Sequence, residues 1–155
     1  MQVKDIMTSN VLSVRPDTHV VAVIRLFREH SVSGVPVVDD AGDVVGIITE
    51  KDVIARYARP HFPHYIQILD SVIYLESPKR YEESMRRILA VTAGELMTET
   101  VTTVPPDMDV QDLAAMMTEQ GINPVPVVDE DERMIGIVSR TDVLNVFEQA
   151  EAKES

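Results

Sequence analysis

The chain has 155 residues and 45% of them are hydrophobic, so it can bury one compact core or two small, intimately packed halves. Its formal net charge of −12 repels nucleic acid and anionic membranes, although a small phosphate-bearing ligand can still find a locally positive site. It has no cysteine for disulfides or thiolate metal sites, no apolar run near the ~18–20 residues of a membrane span, and no signal-peptide layout in Met1-Gln2-Val3-Lys4-Asp5, so a cytoplasmic protein with neither nucleic-acid nor membrane partners is expected.

Residues 11–14 form a short β-rich stretch closed by Pro16. Asp17 stands where a helix N-cap belongs, and Val20, Val23, Ile24 and Phe27 follow at the spacing of one helical face. Residues 35–38 and 44–48 are valine- and isoleucine-rich strands around the turn Asp39-Asp40-Ala41-Gly42-Asp43, which predicts a hairpin. A short helix starts at Thr49. Pro60-His61-Phe62-Pro63-His64 cannot be regular helix. Residues 65–75 are apolar and are expected to pack on the core as a short helix. Ser77-Pro78 reads as N-cap and first helical position of a helix over about 78–92, with Glu82/Arg86 and Glu83/Arg87 as supporting pairs. The polar stretch 148–155 is expected to fray.

Shifted by 90 residues, the chain matches itself without a gap. Met7-Thr8 falls on Met97-Thr98, Pro16-Asp17 on Pro106-Asp107, and Val35-Pro36-Val37-Val38-Asp39 on Val125-Pro126-Val127-Val128-Asp129. Gly46-Ile47 falls on Gly136-Ile137 and Asp52-Val53 on Asp142-Val143. The second helical face is Val110, Leu113, Ala114 and Met117 after Asp107, with Gly121 as its stop. The layout is therefore repeat one over 1–57, an insertion over 58–92, repeat two over 93–147 and a tail over 148–155. Each repeat is too small to be secure alone, and packing the two about a pseudo-two-fold axis solves that.

These marks together resemble the CBS domain family: Met-Thr-x-x-Val-x-x-Val, the apolar-Pro-apolar strand, the Asp-rich turn, and Gly-x-x-Thr/Ser-x-x-Asp. The last is Gly46 to Asp52 in repeat one and Gly136 to Asp142 in repeat two. The resemblance implies an α/β (α+β) fold of two tandem β-α-β-β-α motifs, paired as a Bateman module with two clefts. It also implies an adenine-containing ligand: AMP foremost, with ADP, ATP, S-adenosylmethionine, NAD or a cyclic dinucleotide as alternatives. By the same resemblance Asp52 and Asp142 hold ribose hydroxyls, and Thr49 and Ser139 assist. Ser33, Gly34, Val35 and Pro36, with Asn123, Pro124, Val125 and Pro126, and Asn10-Val11 and Thr100-Val101, line the base and phosphate region. Basic residues that the family places before the apolar-Pro-apolar strand are missing at Ser33-Gly34 and Asn123-Pro124. Lys51 and Arg140, or Arg56 and Arg133, are the substitutes, and the departure favours a less charged ligand such as AMP over ATP. A homodimer through the helices flanking the sheets, read by an unknown downstream protein, is implied as well.

Competing readings stay open. Thr49-x-x-Asp52 and Ser139-x-x-Asp142 also read as helix capping boxes. Lys79-Arg80 and Arg86-Arg87 either pair with neighbouring acids or reach a nucleotide cleft. His61 and His64 have metal-ligand spacing, but no metal site is assigned. No nucleophile elbow, phosphate-cradling Gly-rich loop or His-Glu-x-x-His helix occurs, so no catalytic residue is named and the chain is not read as an enzyme. The alternatives to a nucleotide-responsive module are a scaffold that binds no nucleotide and a metal-responsive protein.

Overall fold

A computed structural model describes residues 1–59, 64–75 and 77–154. A 3-10 turn, Val3–Asp5, precedes α1 (Val20–His30), the hairpin β1 (Gly34–Val38) and β2 (Val44–Thr49), and α2 (Glu50–Arg56). The insertion carries β3 (Tyr65–Ile68), β4 (Ser71–Tyr74) and α3 (Pro78–Leu89). Repeat two follows with α4 (Ala93–Leu96), α5 (Val110–Gln120), the hairpin β5 (Val125–Val128) and β6 (Met134–Val138), and α6 (Arg140–Glu154).

The two hairpins are antiparallel with matching registers, Val35 opposite Ile48 and Val125 opposite Val138, and each slips by a bulge after its second valine, Val37 or Val127. Their turns close as the aspartates require. Asp39 Oδ1 accepts from the Ala41 and Asp43 N–H groups, and Asp129 Oδ1 does the same for Asp131 and Arg133.

Four expectations are corrected. The stretches 11–14 and 101–104 do not form strands; each leaves one parallel bridge, Val14 to Val37 and Val104 to Val127. The next N–H in repeat one goes to the Thr18 hydroxyl, and in repeat two the next residues are Pro105-Pro106, which have no N–H to extend the ladder. The helix caps are His19 and Asp109, two residues later than Asp17 and Asp107. His19 Nδ1 accepts from the Val21 N–H and Asp109 Oδ1 from that of Gln111. Residues 65–75 are not a helix packed on the core but an exposed hairpin, held by pairs such as Ile66–Ile73 and by the edge-to-face rings of Tyr65 and Tyr74. Its β-branched and aromatic side chains favour the extended chain over a helix. The stretch expected as a tail from 148 continues α6, whose Ala- and Glu-rich sequence carries helix through to Glu154. Helix α3 matches its expectation, with Ser77 as N-cap and Pro78 at the first helical position, although it stops at Leu89.

The halves interlock. Thr8 pairs with Ile137 through two backbone hydrogen bonds, 2.9 and 3.0 Å, and Thr98 pairs with Ile47 at 2.9 and 3.0 Å. The opening segment of each repeat thus bridges the edge of the other repeat's hairpin. The cores follow suit: Leu96 and Met97 of repeat two are buried with Val23, Val35 and Ile48 of repeat one, while Val3 is buried with Leu113, Val125 and Val138. Gly46 and Gly136 make this exchange fit, because a Cβ on either would collide with the side chain of Met97 or Met7 respectively. Residues that meet their own counterparts mark the pseudo-two-fold axis. Gly34 lies against Pro124, and Asp43 bridges Arg133.

Candidate functional site

Each motif carboxylate turns back on its own chain at a strand-to-helix junction. Asp52 Oδ2 accepts from the Thr49 N–H at 2.9 Å and from its hydroxyl at 3.1 Å. Asp142 Oδ2 accepts from the Ser139 N–H and hydroxyl, both at 2.7 Å. The capping-box reading is therefore correct as local structure, and at Thr49 both halves of the box form. It occupies one carboxylate oxygen and leaves Oδ1 for another partner. In repeat one that partner is Arg87, in the last turn of α3, whose Nε donates to Asp52 Oδ1 at 3.3 Å. Asp52 is left only 6% exposed. Asp142 is half-buried, and among the described residues it has no ion pair.

Two clefts open beside these carboxylates, and the 90-residue offset relates them. The first, about 400 Å³, is lined by Thr49, Lys51 and Asp52, by Thr98, Thr100, Val101 and Thr102, and by Gly121, Ile122, Asn123 and Pro124. The second, about 330 Å³, is lined by Ser139, Thr141 and Asp142, by Thr8, Asn10, Val11 and Leu12, and by Ser31, Val32, Ser33 and Gly34. Every one of these residues in one cleft has its counterpart in the other. Ser33 and Pro124, near the axis, face both. Each cleft draws its motif from one repeat and its opening and pre-strand segments from the other, which follows from the exchange of opening segments.

Most of the residues implied by the resemblance come together. Asp52, Thr49, Lys51, Ser33, Asn123, Thr100, Val101 and Arg140 line the first cleft; Asp142, Ser139, Asn10, Val11, Ser33 and Gly34 line the second. Val35, Pro36, Val125 and Pro126 line neither. They are buried in the two sheets, and the Pro36 and Pro126 carbonyls accept from the Val14 and Val104 N–H groups. Strands β1 and β5 turn these side chains into the core, and the residues just before them line the clefts.

The cations are unevenly placed. Lys51 and Arg140 both line the first cleft, together with Arg87. Arg56 is committed to the Ala90 carbonyl through Nε and Nη2, and Arg133 sits at the axis opposite Asp43. Of the two fates open to the basic cluster, Arg87 takes the cleft: its carboxylate partner is Asp52. Sequence reasoning named the cluster but did not place Arg87 beside Asp52, and it missed the lining threonines Thr8, Thr98, Thr102 and Thr141. Thr8 and Thr98 were paired by the repeat offset, but nothing in the sequence placed them in a cleft. His61 lies outside the described residues, and among those described no group of three or more His, Cys, Asp or Glu side chains is placed to hold a metal.

A duplicated hairpin unit with exchanged opening segments and two symmetry-related clefts defines a paired-repeat module. The family model for the CBS domain matches residues 3–59 and again 93–149, and the chain belongs to this family as a CBS-domain pair. The uncharacterized protein MJ1426 of Methanocaldococcus jannaschii is 32% identical over 154 residues, spanning 95% of this chain and 91% of that protein. Among solved structures, CBSX2 in complex with AMP superposes with a TM-score of 0.77 at 28% identity, covering 96% of this chain and 97% of that one. CBSX2 is a protein of Arabidopsis thaliana. The CBS-domain pair of protein MJ0100, in complex with 5′-methylthioadenosine and S-adenosyl-L-methionine, superposes with a TM-score of 0.72 at 25% identity, covering 97% and 98%. The chain spans only 22% of another curated relative, an inosine-5′-monophosphate dehydrogenase. No helix among the described residues is long and apolar enough to cross a membrane.

Proposed function

We propose that the chain is a regulatory, non-catalytic module that binds adenine nucleotides or nucleosides in its two clefts, AMP foremost, and transmits occupancy through the angle between its repeats. The observation that carries this is the paired geometry: each cleft sets a carboxylate beside a helix start and the opening segment of the other repeat. Volumes of about 400 and 330 Å³ suit a mononucleotide or nucleoside. Asp142 through Oδ1, and Asp52 through the second lone pair of the Oδ1 that Arg87 already engages, accept from ribose hydroxyls. Similarity to structures holding AMP, 5′-methylthioadenosine and S-adenosylmethionine supports the adenine reading. ADP, ATP and NAD stay in the trial set. A ligand shifts the module only by its differential affinity for two states.

A thermal-shift series with these ligands tests the reading. A binder at 100 times its Kd is expected to stabilise the chain by about 2.7 kcal/mol, read as a rise in Tm. The capping boxes satisfy Asp52 Oδ2 and Asp142 Oδ2 without any ligand, and this favours the scaffold reading if no adenine compound raises Tm.

The dimer belongs to the same proposal. Ile54 and Tyr57 on α2 are 70% and 66% exposed, and their repeat counterparts Leu144 and Phe147 on or near the same face of α6 are 66% and 38% exposed. Large apolar side chains kept outward at the same positions of both repeats support pairing with a second copy. Sedimentation is expected to show a dimer that Ile54→Glu with Leu144→Glu converts to a folded monomer; a monomeric wild type rejects the dimer.

A further inference from the structure

The two clefts share a backbone plan and differ in charge. Three cations, Lys51, Arg87 and Arg140, line the first against two carboxylates, Glu50 and Asp52. The second is lined by one carboxylate, Asp142, and by no Lys or Arg among the described residues. The counterpart of Lys51 there is Thr141.

Arg87 is the cation held most firmly. Lys51 and Arg140 are exposed, whereas the Arg87 side chain is 27% exposed and anchored by Nε to Asp52 Oδ1. That bond uses one of five guanidinium donors and leaves the terminal nitrogens to bind an oxyanion in a forked geometry. Taking a phosphate out of water is costly unless a cation meets it, and the protein's overall negative charge adds to that cost wherever no local cation offsets it. The second cleft has no such offset.

We propose, resting on the adenine reading above, that Arg87 makes the first cleft selective for a purine nucleotide bearing a phosphate, while the second cleft takes an uncharged purine nucleoside. Arg87 reaches the site from α3, so the insertion between the repeats supplies the specificity that the duplicated motif does not. The same guanidinium holds the carboxylate that meets ribose, so nucleotide binding at the first cleft acts on α3 through Arg87.

Isothermal titration with AMP and with adenosine tests this on the full chain. AMP is expected to bind one site per chain, lost in Asp52→Ala and kept in Asp142→Ala; an adenosine site is expected to be lost in Asp142→Ala. Arg87→Gln is expected to weaken AMP about tenfold or more while leaving adenosine within about threefold, and Arg87→Lys to recover part of the AMP affinity. A purely structural role for Arg87 lowers the Tm of Arg87→Gln in step with its AMP affinity and gives no recovery of affinity in an Arg87→Lys variant of equal Tm. AMP filling both clefts with equal affinity, or an equal loss of AMP and adenosine in Arg87→Gln, overturns the proposal and leaves the adenine reading standing. Absence of binding by both ligands to the wild type overturns both.

Discussion

Leu96→Ala is expected to destabilise the whole chain by about 3 kcal/mol, lowering Tm by roughly 6–12 °C in a single transition. Leu96 is fully buried, yet it belongs to the opening of repeat two and fills the core of repeat one beside Val23, Val35 and Ile48. Truncating it leaves a cavity that the surrounding valines, stiff at χ1, close poorly. Two residues on, Thr98 is bonded in both directions to Ile47, so loosening this segment breaks the bridge to the hairpin of repeat one. Val3 and Thr8 make the reciprocal insertion into repeat two. Neither half keeps its core when the other opens, and the unfolding should be cooperative. Calorimetry with far-UV circular dichroism checks this. Two resolved transitions, or an unchanged Tm, would show that the repeats are stable separately.

Asp52→Ala and Asp142→Ala are expected to weaken binding in their own clefts by about 10- to 100-fold, the range for losing charge-assisted hydrogen bonds. The two variants should differ in stability. Each loses the bonds to Thr49 or Ser139, worth about 1 kcal/mol as a helix cap. Asp52→Ala also leaves Arg87 without its carboxylate, so it should be the less stable of the two. Asp52→Asn separates these effects, because an amide oxygen can still accept from the Thr49 N–H while the charge is gone. Retained affinity in both alanine variants would mean that these carboxylates serve only as caps.

What the sequence disclosed, and what it hid, has a physical pattern. The hairpins around Asp39 and Asp129 were legible because alternating valines and a turn-forming aspartate act locally. The helical faces were legible because their spacing is periodic. The cleft carboxylates were legible because the repeat doubled a weak motif. Val35, Pro36, Val125 and Pro126 are buried and line neither cleft, because a motif signals nearness to a cleft, whereas burial decides which side chain reaches it. The caps were misplaced because the runs Pro-Asp-Thr-His and Pro-Asp-Met-Asp each offer a second candidate two residues on, and the chain uses that one. The hairpin over 65–75 was hidden because nearly continuous apolar sequence reads as buried, while every residue of both its strands is exposed. The pairing of Arg87 with Asp52 joins residues 35 apart through the packing of α3 on α2, and the local partner Glu83 was the natural choice on sequence spacing alone.

The most direct test of the account is titration of AMP into the wild type and into the Asp52→Ala, Asp142→Ala double variant under the same conditions. Saturable binding to the wild type that is lost in a double variant still folded by circular dichroism is the predicted result. No binding to the wild type, or the same affinity in the double variant, would contradict it.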